Sequence, residues 1–138
     1  MSESKINRPS LARDIYRFEL NGGNVPANGS PTMTRAYAYN NDFTLSSDSK
    51  KIICHNAGTL LVSVHVAGQS GSDNRLWCKV KGGNIEPQIL STGTYVSGES
   101  VQVVAVANNS QIWLEFVNAF NINSGGVSPS TIFITKLD

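Results

Sequence analysis

Thr59-Leu-Leu-Val-Ser-Val-His-Val-Ala67 is the stretch that decides the fold. In an extended chain Leu60, Val62, Val64 and Val66 point to one side, and Leu61, Ser63 and His65 to the other. A period of two in β-branched and aliphatic residues is the mark of a strand with one face buried. The pattern returns at Val101-Gln-Val-Val-Ala-Val-Ala107 and at Gln111-Ile-Trp-Leu-Glu-Phe-Val117. Between these two lies Asn108-Asn-Ser110, the composition of a tight hairpin turn. Further strands are expected at Arg35–Tyr39, Lys50–Cys54, Leu76–Lys81 and Thr131–Leu137, with Gly-Ser, Gly-Gly and Ser-Gly turns among them. No stretch after Thr32 sustains a helical period, so the spacing predicts an all-β sandwich or jelly roll.

Several of these strands are apolar on both faces. Val104 and Val106 oppose Val101, Val103 and Ala105, and Ile132 and Ile134 oppose Phe133 and Leu137. A lone two-sheet sandwich covers only one face of each strand. The second face needs a cover, and a sister subunit is the expected one, with loops or the N-terminal segment as the other source.

Working outward, 138 residues suit one compact domain. Charged residues are 15% of the chain, against about 25% in an average soluble protein, and the net charge is +1. No overall field draws the molecule to nucleic acid or anionic lipid. No apolar run is long enough to span a bilayer, and residues 1–10 lack the apolar segment of a secretion signal, so neither membrane insertion nor export is expected. The N-terminal part differs in character: Lys5, Arg8, Arg13 and Arg17 beside Glu3, Asp14 and Glu19, followed by a Gly/Asn/Pro-rich stretch from Asn21 to Pro31. Residues 1–30 are therefore expected to be an anchoring or linker segment, and residues 31–138 the folded domain. Within the former, Ser10 to Leu20 reads either as a short helix capped by Ser10 or as an edge strand from Ile15 to Leu20.

Chemistry is poorly supplied. Cys54 and Cys78 are too few for a disulfide scaffold and fit no zinc spacing, which leaves buried thiols as their expected role. His55 adjoins Cys54, but neighbours along a strand point to opposite faces. Asp42, Asp48, Asp73, Glu86, Glu99 and Glu115 are scattered, and no nucleophile, base and orienting group come together in the sequence, so no enzyme is expected. Trp77, Trp113 and Tyr95 would make a sugar-stacking platform if exposed together, the competing reading being burial of at least one. Gly82-Gly-Asn84 and Ser124-Gly-Gly126 read as hairpin connections.

From about residue 50 to 138 the chain resembles the C1q-like domain of the tumour-necrosis-factor superfamily. Lys51 to Val66 is similar to that family's run of an apolar residue, a Cys and a Gly leading into an alternating strand, with Cys54 and Gly58 on the matching positions. Leu76-Trp-Cys-Lys-Val80 looks like the next strand, Val96 to Phe116 like the paired strands ending in a Val-Trp-Leu signature, and Ser130 to Leu137 like the closing strand. Leu60, Leu61 and Val62 stand where animal members carry aromatics, Thr135 stands where they carry Gly, and there is no collagen repeat, which marks a divergent member. The resemblance implies a ten-stranded antiparallel jelly roll, assembled as a homotrimer, that binds other molecules and catalyses nothing. It places the strands at Arg35–Tyr39, Thr59–Ala67, Val101–Ala107 and Thr131–Leu137 in the sheet facing the three-fold axis. Tyr37, Tyr39, Leu61, His65 and Phe133 are then the candidates for subunit contact. Some members bind calcium through loops; Gln69 to Asn74, with Asp73 as its one carboxylate, has that composition and equally that of a plain turn. No other cofactor is implied.

The function expected from these features is that of a virion or bacteriophage surface protein, a head fibre, decoration knob or spike tip. Residues 4–20 would dock on a capsid or tail protein. Loops at Gln69–Asn74, Gly82–Gln88 and Asn118–Ser128 would meet a host surface glycan or protein, with Asp73, Asn74, Asn84, Asn121 and Asn123 as ligand-binding candidates. The alternative is a cellular or bacterial-surface C1q-like lectin or adhesion knob, extracellular or on the cell surface.

Overall fold

In the computed structural model, which describes residues 15–38, 40–123 and 130–137, the alternation seen in the sequence becomes two antiparallel sheets packed face to face. Their strands in chain order are β1 (Ile15–Leu20), β2 (Gly23–Val25), β3 (Met33–Tyr37), β4 (Phe43–Leu45), β5 (Ile52–Cys54), β6 (Gly58–Ser70), β7 (Arg75–Lys81), β8 (Gln88–Thr92), β9 (Tyr95–Val106), β10 (Ser110–Phe116), β11 (Phe120–Ile122) and β12 (Thr131–Lys136). The seven-stranded sheet runs β2-β11-β6-β12-β1-β3, with β9 on the other edge of β6; the five-stranded sheet runs β4-β5-β10-β7-β8. The described residues thus hold twelve strands where the resemblance implied ten, several of them, such as β2 and β11, only three residues long.

β6 organises the larger sheet because it is long enough to serve three partners. One edge pairs with β9 from Gly58 to Gln69; the other pairs with β12 along Leu60 to His65 and then with β11 along Gly68 to Ser70. Where one partner gives way to the other, the buried Ser130 hydroxyl fills the gap, accepting from the Ala67 N–H at 2.9 Å. Gly68 is required on this edge because a Cβ there would overlap the Asn121 carbonyl oxygen of β11.

The core lies between the sheets. Leu60, Val62, Val64 and Val66 of β6, Val104 and Val106 of β9, and Ile132 and Ile134 of β12 meet Ile52, Leu76, Val80, Ile89, Ile112, Leu114 and Phe116 of the other sheet. Each such side chain contributes about 1.5–3 kcal/mol on burial. Cys54 and Cys78 lie in this core as free thiols. Burial pushes both thiols up to about 12, because an apolar surround disfavours the thiolate. A thiol whose pKa is raised on folding favours the folded state fully below its unfolded value of 9.0, and that contribution is lost as the pH rises toward 12. The native protein should therefore resist a thiol-reactive dye at pH 8, label at both cysteines in denaturant, and melt progressively lower above pH 9. Rapid labelling of the native protein would contradict the burial.

Two sequence expectations are corrected. The boundary at residue 30 does not hold, since β1 is neither a helix nor an edge strand but lies between β12 and β3, with Tyr16, Phe18 and Leu20 buried. Its alternation is the cause: Tyr16, Phe18 and Leu20 share one face and need the core, and the Tyr16 ring meets Phe43 edge-on at 4.6 Å. Val25 of β2 is buried as well. Secondly, Asn108-Asn-Ser110 is no hairpin, because β9 pairs with β6 while β10 pairs with β5 and β7. The turn, closed by the Ser110 N–H to the Ala107 carbonyl at 3.2 Å with Asn109 at φ 62°, arches from one sheet to the other. Both strands carry core residues, Val104 and Val106 facing Ile112 and Leu114, so they oppose each other across the sandwich. Gly82-Gly-Asn84, by contrast, does connect paired strands, β7 and β8, as expected; Gly82 stands at φ 105°, and a Cβ there would overlap the Gln111 carbonyl oxygen. Ser124-Gly-Gly126 lies outside the described residues.

Candidate functional site

Residues directly opposed on antiparallel strands put their side chains on the same face, so the registers map the outward face of the seven-stranded sheet. One row holds Tyr37, Arg17, Phe133, Ser63 and Val101. The next holds Ile15, Thr135, Leu61 and Val103, and on the other side lies a row of Glu19, Thr131, His65 and Glu99. The middle of this face is apolar and open: Tyr37 is 48% exposed, Val101 57%, Val103 52% and Phe133 38%. Such a patch, interrupted by Arg17 between Tyr37 and Phe133 and edged by Glu19 and Glu99, has the anatomy of an interaction surface. Arg17 donates to Glu19 at 3.0 Å, and His65 Nδ1 lies 3.5 Å from Glu99 Oε1.

Of the five contact candidates, Tyr37, Leu61, His65 and Phe133 lie on this one face, and Tyr39 lies outside the described residues. β3, β6, β9 and β12 all belong to the one sheet. The list missed Val101, Val103 and Ile15. The first two were legible as the second apolar face of their strand, whereas Ile15 joins only because β1 inserts beside β12.

The ligand candidates are divided between the two ends of the sandwich. Asp73 and Asn74 sit in the β6–β7 turn, and Asn121 and Asn123 in and after β11, at the end where β9 begins. Asn84 is at the opposite end, beside Ala105, about 33 Å from Tyr95 along β9. Two of the five are structural. Asn84 Oδ1 accepts from the Ala105 N–H at 2.8 Å, and Asn74, at φ 56°, accepts from the Thr94 hydroxyl at 3.1 Å, so each holds a loop closed. Asp73 is an isolated carboxylate: among the described residues no three or more His, Cys, Asp or Glu come together, and a calcium ion wants several hard oxygens.

The aromatic platform is also taken apart. Trp77 and Trp113 are half-buried on the outward face of the five-stranded sheet, under the Arg75 guanidinium at 5.2 Å and the Lys51 ammonium at 4.4 Å. The Trp77 indole N–H donates to Gln88 Oε1 at 2.9 Å. Tyr95 belongs to the other sheet and is 81% exposed. His55 Nε2 meets the Thr44 hydroxyl at 2.7 Å, but no carboxylate forms an ion pair with its ring among the described residues, and the neighbouring Cys54 points into the core.

At the end of the sandwich where β2, β11 and β6 run together, a cavity of about 380 Å³ opens between Pro26, Ala119, Phe120 and the side chains of Asn24, Gln69 and Asn121. No charged residue lines it.

No protein-family model and no curated protein sequence matches the chain. Solved structures do. Murine APRIL superposes with a TM-score of 0.67 at 11% identity, over 88% of this chain and 98% of that one. Eiger TNF from S. frugiperda gives 0.69 at 16% identity, over 90% and 92%. The globular domain of zebrafish complement 1qA gives 0.64 at 12% identity, over 90% and 96%. At such identities the likeness concerns the backbone, and it runs over nearly the whole of each chain. The two sheets, their order and these superpositions agree: this chain is an all-β jelly roll with the fold of the tumour-necrosis-factor and C1q domains.

Proposed function

We propose that the chain is a non-enzymatic recognition domain that works as a homotrimer and binds a receptor or glycan at its exposed end. The observation that carries this reading is the open apolar face formed by Ile15, Tyr37, Leu61, Val101, Val103 and Phe133. A face of this kind, left to water, invites uncontrolled association; laid against sister subunits it becomes a specific contact. Three copies, rather than two, is what the C1q-like resemblance implies. Recognition without catalysis is supported by what the side chains do: His65 faces Glu99, His55 meets the Thr44 hydroxyl, the thiols are buried, and no nucleophile, base and orienting group come together as a set among the described residues.

The setting we propose is the surface of a virion or bacteriophage particle. Its support is the charge-poor, amide- and hydroxyl-rich composition, which keeps a particle-bound knob soluble without strong fields. Attachment through residues 4–20 is narrowed by the fold. Tyr16, Phe18 and Leu20 are core residues and are not available to a partner, so the attaching segment lies before Ile15. Sedimentation of the full chain at micromolar concentration should give three times 14.8 kDa, and the gene should lie among capsid and tail genes. A monomer overturns the trimer; a gene among cell-envelope genes favours the adhesion knob instead.

A further inference from the structure

The same end of the sandwich carries a row of four uncharged polar side chains drawn from four strands. Asn24 of β2 opposes Asn121 of β11, Asn121 opposes Gln69 of β6, and Gln69 opposes Tyr95 of β9. The registers place all four on the outward face, at about 4.8 Å per strand, so the row extends about 14 Å. All four are exposed. The amides of Asn24, Gln69 and Asn121 make no side-chain hydrogen bond among the described residues, whereas that of Asn21 is held by two and those of Asn74, Asn84 and Gln88 by one each. Beside them opens the cavity of about 380 Å³, with Pro26, Ala119 and Phe120 in its wall.

We infer that this row and cavity form a binding site for a neutral saccharide, an inference that rests on the reading of the chain as a recognition domain. An amide presents a donor and an acceptor in one plane, which suits the adjacent hydroxyls of a sugar ring. Tyr95 offers a ring face to the C–H side of a sugar and a hydroxyl to its rim, at the low entropic cost of two side-chain torsions. The lining holds no cation for a carboxylate or phosphate and no carboxylate for an amine, which excludes acidic and basic ligands as the natural occupants. The frame is rigid. The Ser70 hydroxyl donates to the Gly93 carbonyl at 2.7 Å and the Thr94 hydroxyl to Asn74 Oδ1 at 3.1 Å, tying the turn that carries Tyr95 to the end of β6. Val101 lies about 20 Å from Tyr95 along β9, so the row lies well away from the centre of the apolar patch on the same face.

The test uses the full chain, isotopically labelled, titrated separately with galactose, glucose, mannose, N-acetylglucosamine and, as an acidic comparison, sialyllactose, alongside a printed glycan array. At least one neutral sugar should shift the amide signals of residues 24, 69, 95 and 121. Tyr95→Ala and Asn121→Ala should each weaken that binding about tenfold with the melting temperature unchanged, and Tyr95→Phe should retain most of it. Neutral-sugar binding that survives both alanine variants overturns this site while leaving recognition of glycans standing. Binding of sialyllactose alone overturns the assignment to neutral sugars. No binding of any saccharide in solution or on the array overturns both the site and the glycan part of the proposed function.

Discussion

A chain lacking residues 1–30 is expected to lose cooperative unfolding altogether. The deletion removes β1 from between β12 and β3, leaving β12 with an unpaired edge and β3 with no neighbour in its sheet. It also strips Tyr16, Phe18, Leu20 and Val25 from the core and takes from Phe43 the ring that packs against it. Phe18, fully buried, sets the scale, since Phe18→Ala should cost about 3–5 kcal/mol through lost burial and the cavity left behind. With about 5–15 kcal/mol as the whole stability of a domain, four such losses and three broken ladders, β1 with β12, β1 with β3 and β2 with β11, exceed what the fold can bear. The alternating face supplies the control: Glu19→Ala, pointing outward, should change stability by less than about 0.5 kcal/mol. The measurement is thermal or urea unfolding followed by circular dichroism. A truncated chain that still melts sharply near the full-length temperature would mean that residues 1–30 are a separate segment after all.

Val103→Asp should convert the proposed trimer to a folded monomer. Val103 opposes Leu61 in the middle of the outward face and is half exposed in the single chain, so the substitution costs the monomer no more than the roughly 1 kcal/mol spread of strand propensities. In an assembled trimer the carboxylate would be buried without a partner, at a cost of about 3–5 kcal/mol per contact. Light scattering should then read 14.8 kDa for the variant against three times that for the parent chain, with the two melting curves close together when extrapolated to low concentration. Phe133→Arg, one row away, should act likewise, and Glu99→Gln at the rim should leave the assembly intact. A Val103→Asp protein that remains trimeric would place the subunit contact elsewhere, and the apolar face would need another occupant.

What was legible in the sequence was local. The period of two in β6 and β10 assigned strand and inward face residue by residue, because the direction of a side chain along an extended chain depends on its own parity alone. The second apolar face of β9 and β12 was readable for the same reason, and it pointed to Val101, Val103 and Phe133 before any partner strand was known. The Gly/Asn/Pro-rich stretch after Leu20 misled, since it marks only the connections around β2 and says nothing of β1, whose buried triplet of Tyr16, Phe18 and Leu20 was too short a pattern to separate strand from helix. Asn108-Asn-Ser110 misled in another way, because a turn composition is shared by a hairpin and an arch, and the choice is made by where the flanking core faces find their partners.

Asn84 and Tyr95 show where local reading ends. Both sit in polar turns or strand starts of similar composition, yet one closes a loop against Ala105 and the other stands free beside Gln69. The sequence by itself determined an all-β chain, the buried face of its main strands, the fate of its thiols and the scarcity of catalytic groups. Only the tertiary structure decided that β1 is internal, that β9 and β10 face each other across the core, and that Asn24, Asn121, Gln69 and Tyr95 come into one row. The physical reason is that pleat and parity are properties of a single segment, while pairing, register and the meeting of side chains from distant strands arise only when loops close and the sheets pack.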